Sequence, residues 1–156
     1  TLIPAMIGLE DVPNDSPDKV MELQIHMALG ITVVTLTLIR LIVRFSVKRP
    51  PKATEGEKAL DWVRKISHFL LYFFIFSMGA TGIGMALQAD LFAIVYQGAD
   101  AALPGDFYEL GPLREGHGLY ASLLLGLIVL HLCAALWHQF VRKDKLFRRM
   151  WYGNRW

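Results

Sequence analysis

The stretch HGLYASLLLGLIVLHLCAALWHQFV, residues 117–141, contains no Lys, Arg, Asp or Glu and sets three histidines, His117, His131 and His138, in an otherwise apolar run. An uncharged apolar run longer than about 18 residues can cross the hydrocarbon core of a bilayer as a helix. Two more runs lie upstream. Ile66 to Leu87 has no formally charged residue, and Leu23 to Val43 is broken only by small polar groups, His26 and Arg40. Thr32, Thr35 and Thr37 of that run can return their hydroxyl protons to helical carbonyls, so lipid or a bundle interior accepts them at little cost. A chain of 156 residues that is 54% apolar has too little polar surface to bury three such runs in a soluble core. The expected fold is an all-α membrane protein with three transmembrane helices in an up-down bundle, over residues 22–44, 66–87 and 117–141.

The charges predict its orientation. Of 16 Lys and Arg, eight lie between Arg40 and Lys65 and six from Arg142 to Arg155, leaving only Lys19 and Arg114 elsewhere. The acids show the opposite bias: Glu10, Asp11, Asp15, Asp18 and Glu22 precede the first run, and Asp90, Asp100, Asp106, Glu109 and Glu115 lie between the second and third. By the positive-inside rule, the loop 45–65 and the basic tail 142–156 face the cytoplasm, while segment 1–21 and loop 88–116 face outward. This places the chain in the inner (cytoplasmic) membrane as a multi-pass protein, N-terminus outside and C-terminus cytoplasmic. The net charge of +2 is therefore a topology signal and gives no argument for nucleic acid. Residues 1–21 have neither the basic start nor the long apolar stretch of a signal peptide, and a first residue Thr1 is consistent with processing or truncation. Arg49-Pro50-Pro51-Lys52 is expected to end the first helix, and Leu91 to Val95, too short to cross, to lie at the interface. The outer loop interleaves Phe92, Tyr96, Phe107 and Tyr108 with turn residues, as expected near a membrane surface.

All five histidines lie in or at the edges of the three runs, and an ionisable group inside a bilayer marks a functional site. His117 and His131 are fourteen positions apart, within roughly 40° of one helix face and about 21 Å apart along the axis. One helix so built can offer an axial imidazole to each of two haems stacked across the membrane. His26, a few residues inside the outer end of the first run, matches His117 in depth, and Gly30 one turn deeper would let a flat macrocycle approach the backbone. His131 has no such match. His68 follows Lys65 by three residues, so counting residues puts it nearer the surface, level with His138. Arg40 cannot ligate iron but can pair with a haem propionate or a quinone headgroup, or snorkel to the cytoplasm. Cys133 is the only cysteine and no C-x-x-C-H site exists, so any haem is b-type, without thioether links. These readings give one complete haem b site, His26 with His117, and half of a second on His131.

With these residues in place the chain resembles the bacterial cytochrome b561 family of di-haem, four-helix membrane proteins. The resemblance covers nearly the whole chain and is carried by many short motifs at fixed spacing. It is strongest in His117, His131, Ala134-Ala135-Leu136, His138 and the tail from Lys143-Asp144 to Arg148-Arg149-Met150. Leu23 to Arg44, with His26, Gly30, Arg40 and Arg44, resembles the family's second helix, and Ile66 to Met85, with His68, Leu71 and Tyr72, its third. Nothing corresponds to the family's first helix, which supplies the partner of the lower histidine. The resemblance thus implies His26 with His117 and leaves His131 awaiting a ligand: from a helix upstream of Thr1, from another chain, or from a shifted His68.

The resemblance further implies electron transfer within the membrane, with ubiquinone or another quinone as exchangeable substrate; some members resemble enzymes that oxidise superoxide at the outer face. An outer-face donor, bis-histidine haem, and a quinone near His138, Arg40 and His68 make up the expected path, with His138 passing the proton that quinone chemistry requires. The expected partners are the lipid bilayer, quinone, and a chain or helix completing the lower site. The alternative is a non-catalytic or haem-carrying membrane subunit of a larger respiratory or photosynthetic complex. A histidine-lined proton or metal transporter fits less well, because Ile66 to Leu87 offers little polarity beyond Ser77 and Thr81.

Overall fold

A computed structural model describes residues 13, 16–47, 58–98, 103–104 and 107–143. Three long helices dominate it: α1 (Pro17–Ser46), α2 (Lys58–Gln88) and α4 (Pro112–Phe140), with a short α3 (Leu91–Gln97) and a single 3-10 turn, Phe107–Leu110, between the last two. No strand occurs among the described residues. At 1.5 Å per residue, helices of 30, 31 and 29 residues are each about 45 Å long, enough to cross the ~30 Å hydrocarbon core and project into both headgroup regions. The fold is the all-α membrane bundle that the apolar runs predict.

Local chemistry sets the ends. Ser16 caps α1, its hydroxyl accepting from the Asp18 N–H at 3.3 Å, and Pro17 occupies the first turn, where no amide proton is needed. Val47 leaves α1 in an extended conformation and donates its N–H to Val43 at 3.0 Å. Near the start of α2, Asp61 pairs with Arg64 and, at 3.0 Å, with Lys65. Gly111, with a φ of +58°, turns the chain into α4, whose first residue is Pro112.

The middle helix α2 is the scaffold: α4 packs on it extensively, and α1 packs on it as well. Glycine makes the α1 contact close, since a Cβ at Gly79 would lie 2.8 Å from Val34 Cγ2. The outward surface is apolar. Leu36, Ile42, Phe45, Phe69, Leu130 and Phe140 are all more than half exposed, and no side chain of α4 is buried. Such a surface is stable only in lipid, so the chain is a multi-pass membrane protein. The densest apolar packing sits at one end, where Ala86, Leu91 and Ile94 cluster with Met27, Phe92, Leu103 and Phe107. Residues Leu91 to Val95, expected at the interface, fold as α3 onto that end of the bundle, and Tyr96 donates its hydroxyl to the Gln24 carbonyl at 3.3 Å.

Candidate haem site

Four of the five histidines meet in two pairs, at two levels of the bundle. His26 of α1 and His117 of α4 have ring centroids 6.1 Å apart and planes inclined by 66°. Two imidazoles bound at about 2.0 Å to opposite sides of one metal have centroids roughly 6 Å apart. The pair stands at that spacing. Met27, next to His26, belongs to the apolar cluster of α3 and Phe107, so these described parts of the connection pack at this end of the bundle. Lys19 is buried there at 3% exposure, its ammonium 5.7 Å from the centre of the Phe107 ring.

Fourteen residues along α4, His131 meets His68 of α2, with centroids 5.3 Å apart and planes at 82°. Of the three sources expected for a partner to His131, the structure brings this one to it. The expectation that His68 lies level with His138 is corrected. The reason is visible in Lys65, whose ammonium turns back along α2 to Asp61 at 3.0 Å and to the Trp62 ring at 5.6 Å. A lysine that snorkels by a helical turn is a poor ruler of depth.

The ring nitrogens show how the imidazoles are held. His68 Nδ1–H donates to the Arg64 carbonyl at 2.7 Å, which leaves Nε2 as the bare nitrogen. His117 Nδ1 lies 3.0 Å from Thr81 Oγ1, and His131 Nδ1 lies 3.1 Å from Ser67 Oγ. Engaging Nδ1 and reserving Nε2 is how proteins set a histidine to face a metal. Among the described residues no three of His, Cys, Asp or Glu converge as a cage for a bare ion. Imidazoles that meet in pairs, with no further ligand beside them, suit an iron that a macrocycle would already hold. Gly30 fits the same group: a Cβ there would meet no atom of the chain within 4 Å, unlike Gly79. The residues present therefore fit haem.

Beside His68 a cavity of about 640 Å³ opens between α1 and α2, lined by Leu41, Arg44, Lys65, Tyr72 and Phe76 among others. Its size is that of a small-molecule site, and its walls are mostly apolar. Arg44 lines it where the sequence pointed to Arg40; both arginines are within electrostatic reach of His68. His138 is not brought to this cavity. It sits half-buried in the last turn of α4 against the Trp137 ring, at a centroid distance of 5.2 Å. Sequence reasoning missed Ser67 and Thr81; the signal lay in their fourteen-residue spacing, equal to that of His117 and His131.

Residues 2–153 match the sequence profile of prokaryotic cytochrome b561. The chain belongs to that family. It is 29% identical over 127 residues to a protein named cytochrome b562 from Cereibacter sphaeroides, a match covering 81% of this chain and 65% of the relative. It is 25% identical over 130 residues to a probable superoxide oxidase CybB from Yersinia pestis, covering 81% of this chain and 72% of that one. The match thus spans just under two thirds of the length of the first relative. No solved structure matches the chain.

Proposed function

We propose that this family member is a b-type cytochrome that carries electrons through the membrane between a donor at the outer face and the quinone pool. The observation that supports it most directly is the 6.1 Å spacing of His26 and His117, with His117 held through Nδ1. When bound, haem would supply a one-electron carrier, which these imidazoles would hold. His26 and His117 are the ligands of the first site. His131 supplies one ligand of the second, and His68 is its nearest partner. The aromatic rings of Phe73, Phe74 and Tyr120, 5.3–6.5 Å apart, lie on the stretches of α2 and α4 between the two levels.

The cavity beside His68 is the proposed quinone site. Apolar walls accept the ring, while Arg44 and the Tyr72 hydroxyl can donate to its carbonyl oxygens. With the basic segments facing the cytoplasm, this site opens to that side of an inner membrane, and the His26–His117 pair faces outward. His138 then serves at the cytoplasmic boundary, a helical turn or more from the cavity, as a surface proton relay.

A second reading of His68 follows from its 5.3 Å approach to His131 and from its place in the cavity wall. Here His68 donates to quinone, and the other ligand to the second haem comes from a further helix or chain. Reduced-minus-oxidised spectra with haem-to-protein stoichiometry, followed by a quinol-oxidation assay on the purified chain, test the proposal. Haem with quinone-dependent turnover is expected. Absence of haem sinks the cytochrome reading, and haem without turnover makes the chain an electron-carrying subunit of a larger complex.

A further inference from the structure

The α2 helix gives no ligand to the first histidine pair, yet one of its hydroxyls reaches His117, and a second reaches His131. We infer that Thr81 and Ser67 are positioning residues, one for each α4 histidine, that hold the imidazole in the tautomer leaving Nε2 bare for haem iron. The inference rests on the haem reading above and adds the means by which each ring is fixed.

The tautomer at His117 follows from counting protons. Thr81 has one hydroxyl proton, and Oγ1 lies 2.9 Å from the Ser77 carbonyl and 3.1 Å from the Met78 carbonyl of its own helix. Carbonyl oxygens only accept, so they compete for this proton, and with it on the nearer Ser77 carbonyl Oγ1 turns a lone pair to His117. The 3.0 Å contact then requires a proton on His117 Nδ1 and none on Nε2. Ser67 Oγ stands 3.1 Å from His131 Nδ1, the same hydroxyl-to-Nδ1 contact at the second level.

The two contacts repeat as a register. Ser67 and Thr81 are fourteen residues apart on α2, as are His117 and His131 on α4. The helices run antiparallel, so both hydroxyls meet their histidines at the matching level, about 21 Å apart along the axis. A hydroxyl needing only to satisfy itself in lipid already has its own helix carbonyl, as Thr32 does with Ala28 at 2.8 Å. The reach to a histidine is additional. Gly82 assists, since a Cβ there would press on His117 Cε1 at 3.3 Å and turn the ring from Thr81.

A hydrogen-bond acceptor on Nδ1–H makes the ligating nitrogen more basic and favours the ferric iron. Thr81→Val removes the hydroxyl acceptor and keeps the volume, leaving the Met78 carbonyl as the remaining partner of His117; Thr81→Ser restores the hydroxyl. In the purified haem-loaded protein, Thr81→Val should raise the midpoint potential of the haem that His26→Ala removes. It should also speed that haem's transfer to a scavenging apoprotein by roughly 10- to 100-fold, while Thr81→Ser stays near wild type. Ser67→Ala should act on the other haem alone. Wild-type protein without haem would remove the underlying reading before any variant is compared. With haem present, unchanged potentials in Thr81→Val, equal behaviour of Thr81→Val and Thr81→Ser, or loss of both haems together would each overturn the inference. Failure of both Thr81→Val and Thr81→Ala to accumulate in the membrane, with Thr81→Ser normal, would make the hydroxyl structural and overturn it as well.

Discussion

The two histidine pairs share α4 but are assembled by different contacts. His26 and His117 come from α1 and α4, which pack mainly on α2 rather than on each other, and their rings meet beside Gly82 at 6.1 Å. His68 and His131 come from α2 and α4, the most extensive helix contact, and stand at 5.3 Å. The first pair lies toward the end of the bundle where α3 and Phe107 pack beside Met27, whereas the second borders an open cavity with Arg44 and Lys65 in its wall. Helices that do not press on one another can hold two rings at coordination distance with a macrocycle between them. Helices in close contact set their rings nearer and leave one ring, His68, able to serve either a metal or an exchangeable ligand. The difference suits a fixed relay at one end and an exchange site at the other.

The hardest test of that contrast removes a ligand from the His26–His117 pair. His117→Ala or His26→Ala should each lower haem-to-protein stoichiometry by a full haem and delete one spectral component, because no other histidine lies at that level. If either variant keeps every haem, that pair is not a site. His68→Ala should act differently. Should His68 ligate iron, the component that depends on His131 is lost; should it face quinone, that component stays and quinol turnover falls by roughly 10-fold or more, the scale of a lost charge-assisted or strong hydrogen bond. Stoichiometry and turnover, measured on one preparation, separate the two. Smaller again is Arg44→Ala. Loss of one charged donor from the cavity should raise the KM for a short-chain quinol by roughly 10-fold without altering the haem spectrum. An unchanged KM would move the quinone elsewhere.

Much of this contrast was legible in the sequence, because spanning helices are coded by length and charge. The apolar runs around His26, His68 and His117 gave the three helices, and matching depth paired His26 with His117. What failed was the depth of His68. Counting depth from Lys65 takes its charge as the membrane surface, but its ammonium folds back to Asp61 while the backbone continues inward. The sequence points to Arg40, whereas Arg44 lines the cavity because its wall is set by how α1 turns against α2. Such rotation about a helix axis is fixed by contacts such as Gly79 on Val34, which no single run of sequence displays. Ser67 and Thr81 were hidden for the same reason: their meaning depends on the antiparallel register of a partner helix.

The smallest effect gives the most specific test of the His26–His117 pair. Gly30 lies one turn beyond His26 on the same face of α1, and a Cβ there would meet nothing within 4 Å, as would one at Gly126 on α4. By nine residues of helical rotation Gly126 faces away from His117, so it serves as the control. Replacing glycine by alanine within a helix raises intrinsic helix stability by about 1 kcal/mol. Both Gly30→Ala and Gly126→Ala should therefore melt at or slightly above the wild-type temperature when helicity is followed by circular dichroism. Their haem behaviour should diverge. If the macrocycle lies against α1 at Gly30, the added methyl intrudes on it, and Gly30→Ala releases haem a few-fold faster while Gly126→Ala does not. A methyl that strengthens the helix yet weakens cofactor retention cannot be explained by loss of packing within the chain. Equal haem retention in the two variants would place the macrocycle off this face of α1 and confine the role of the first helix to His26 itself.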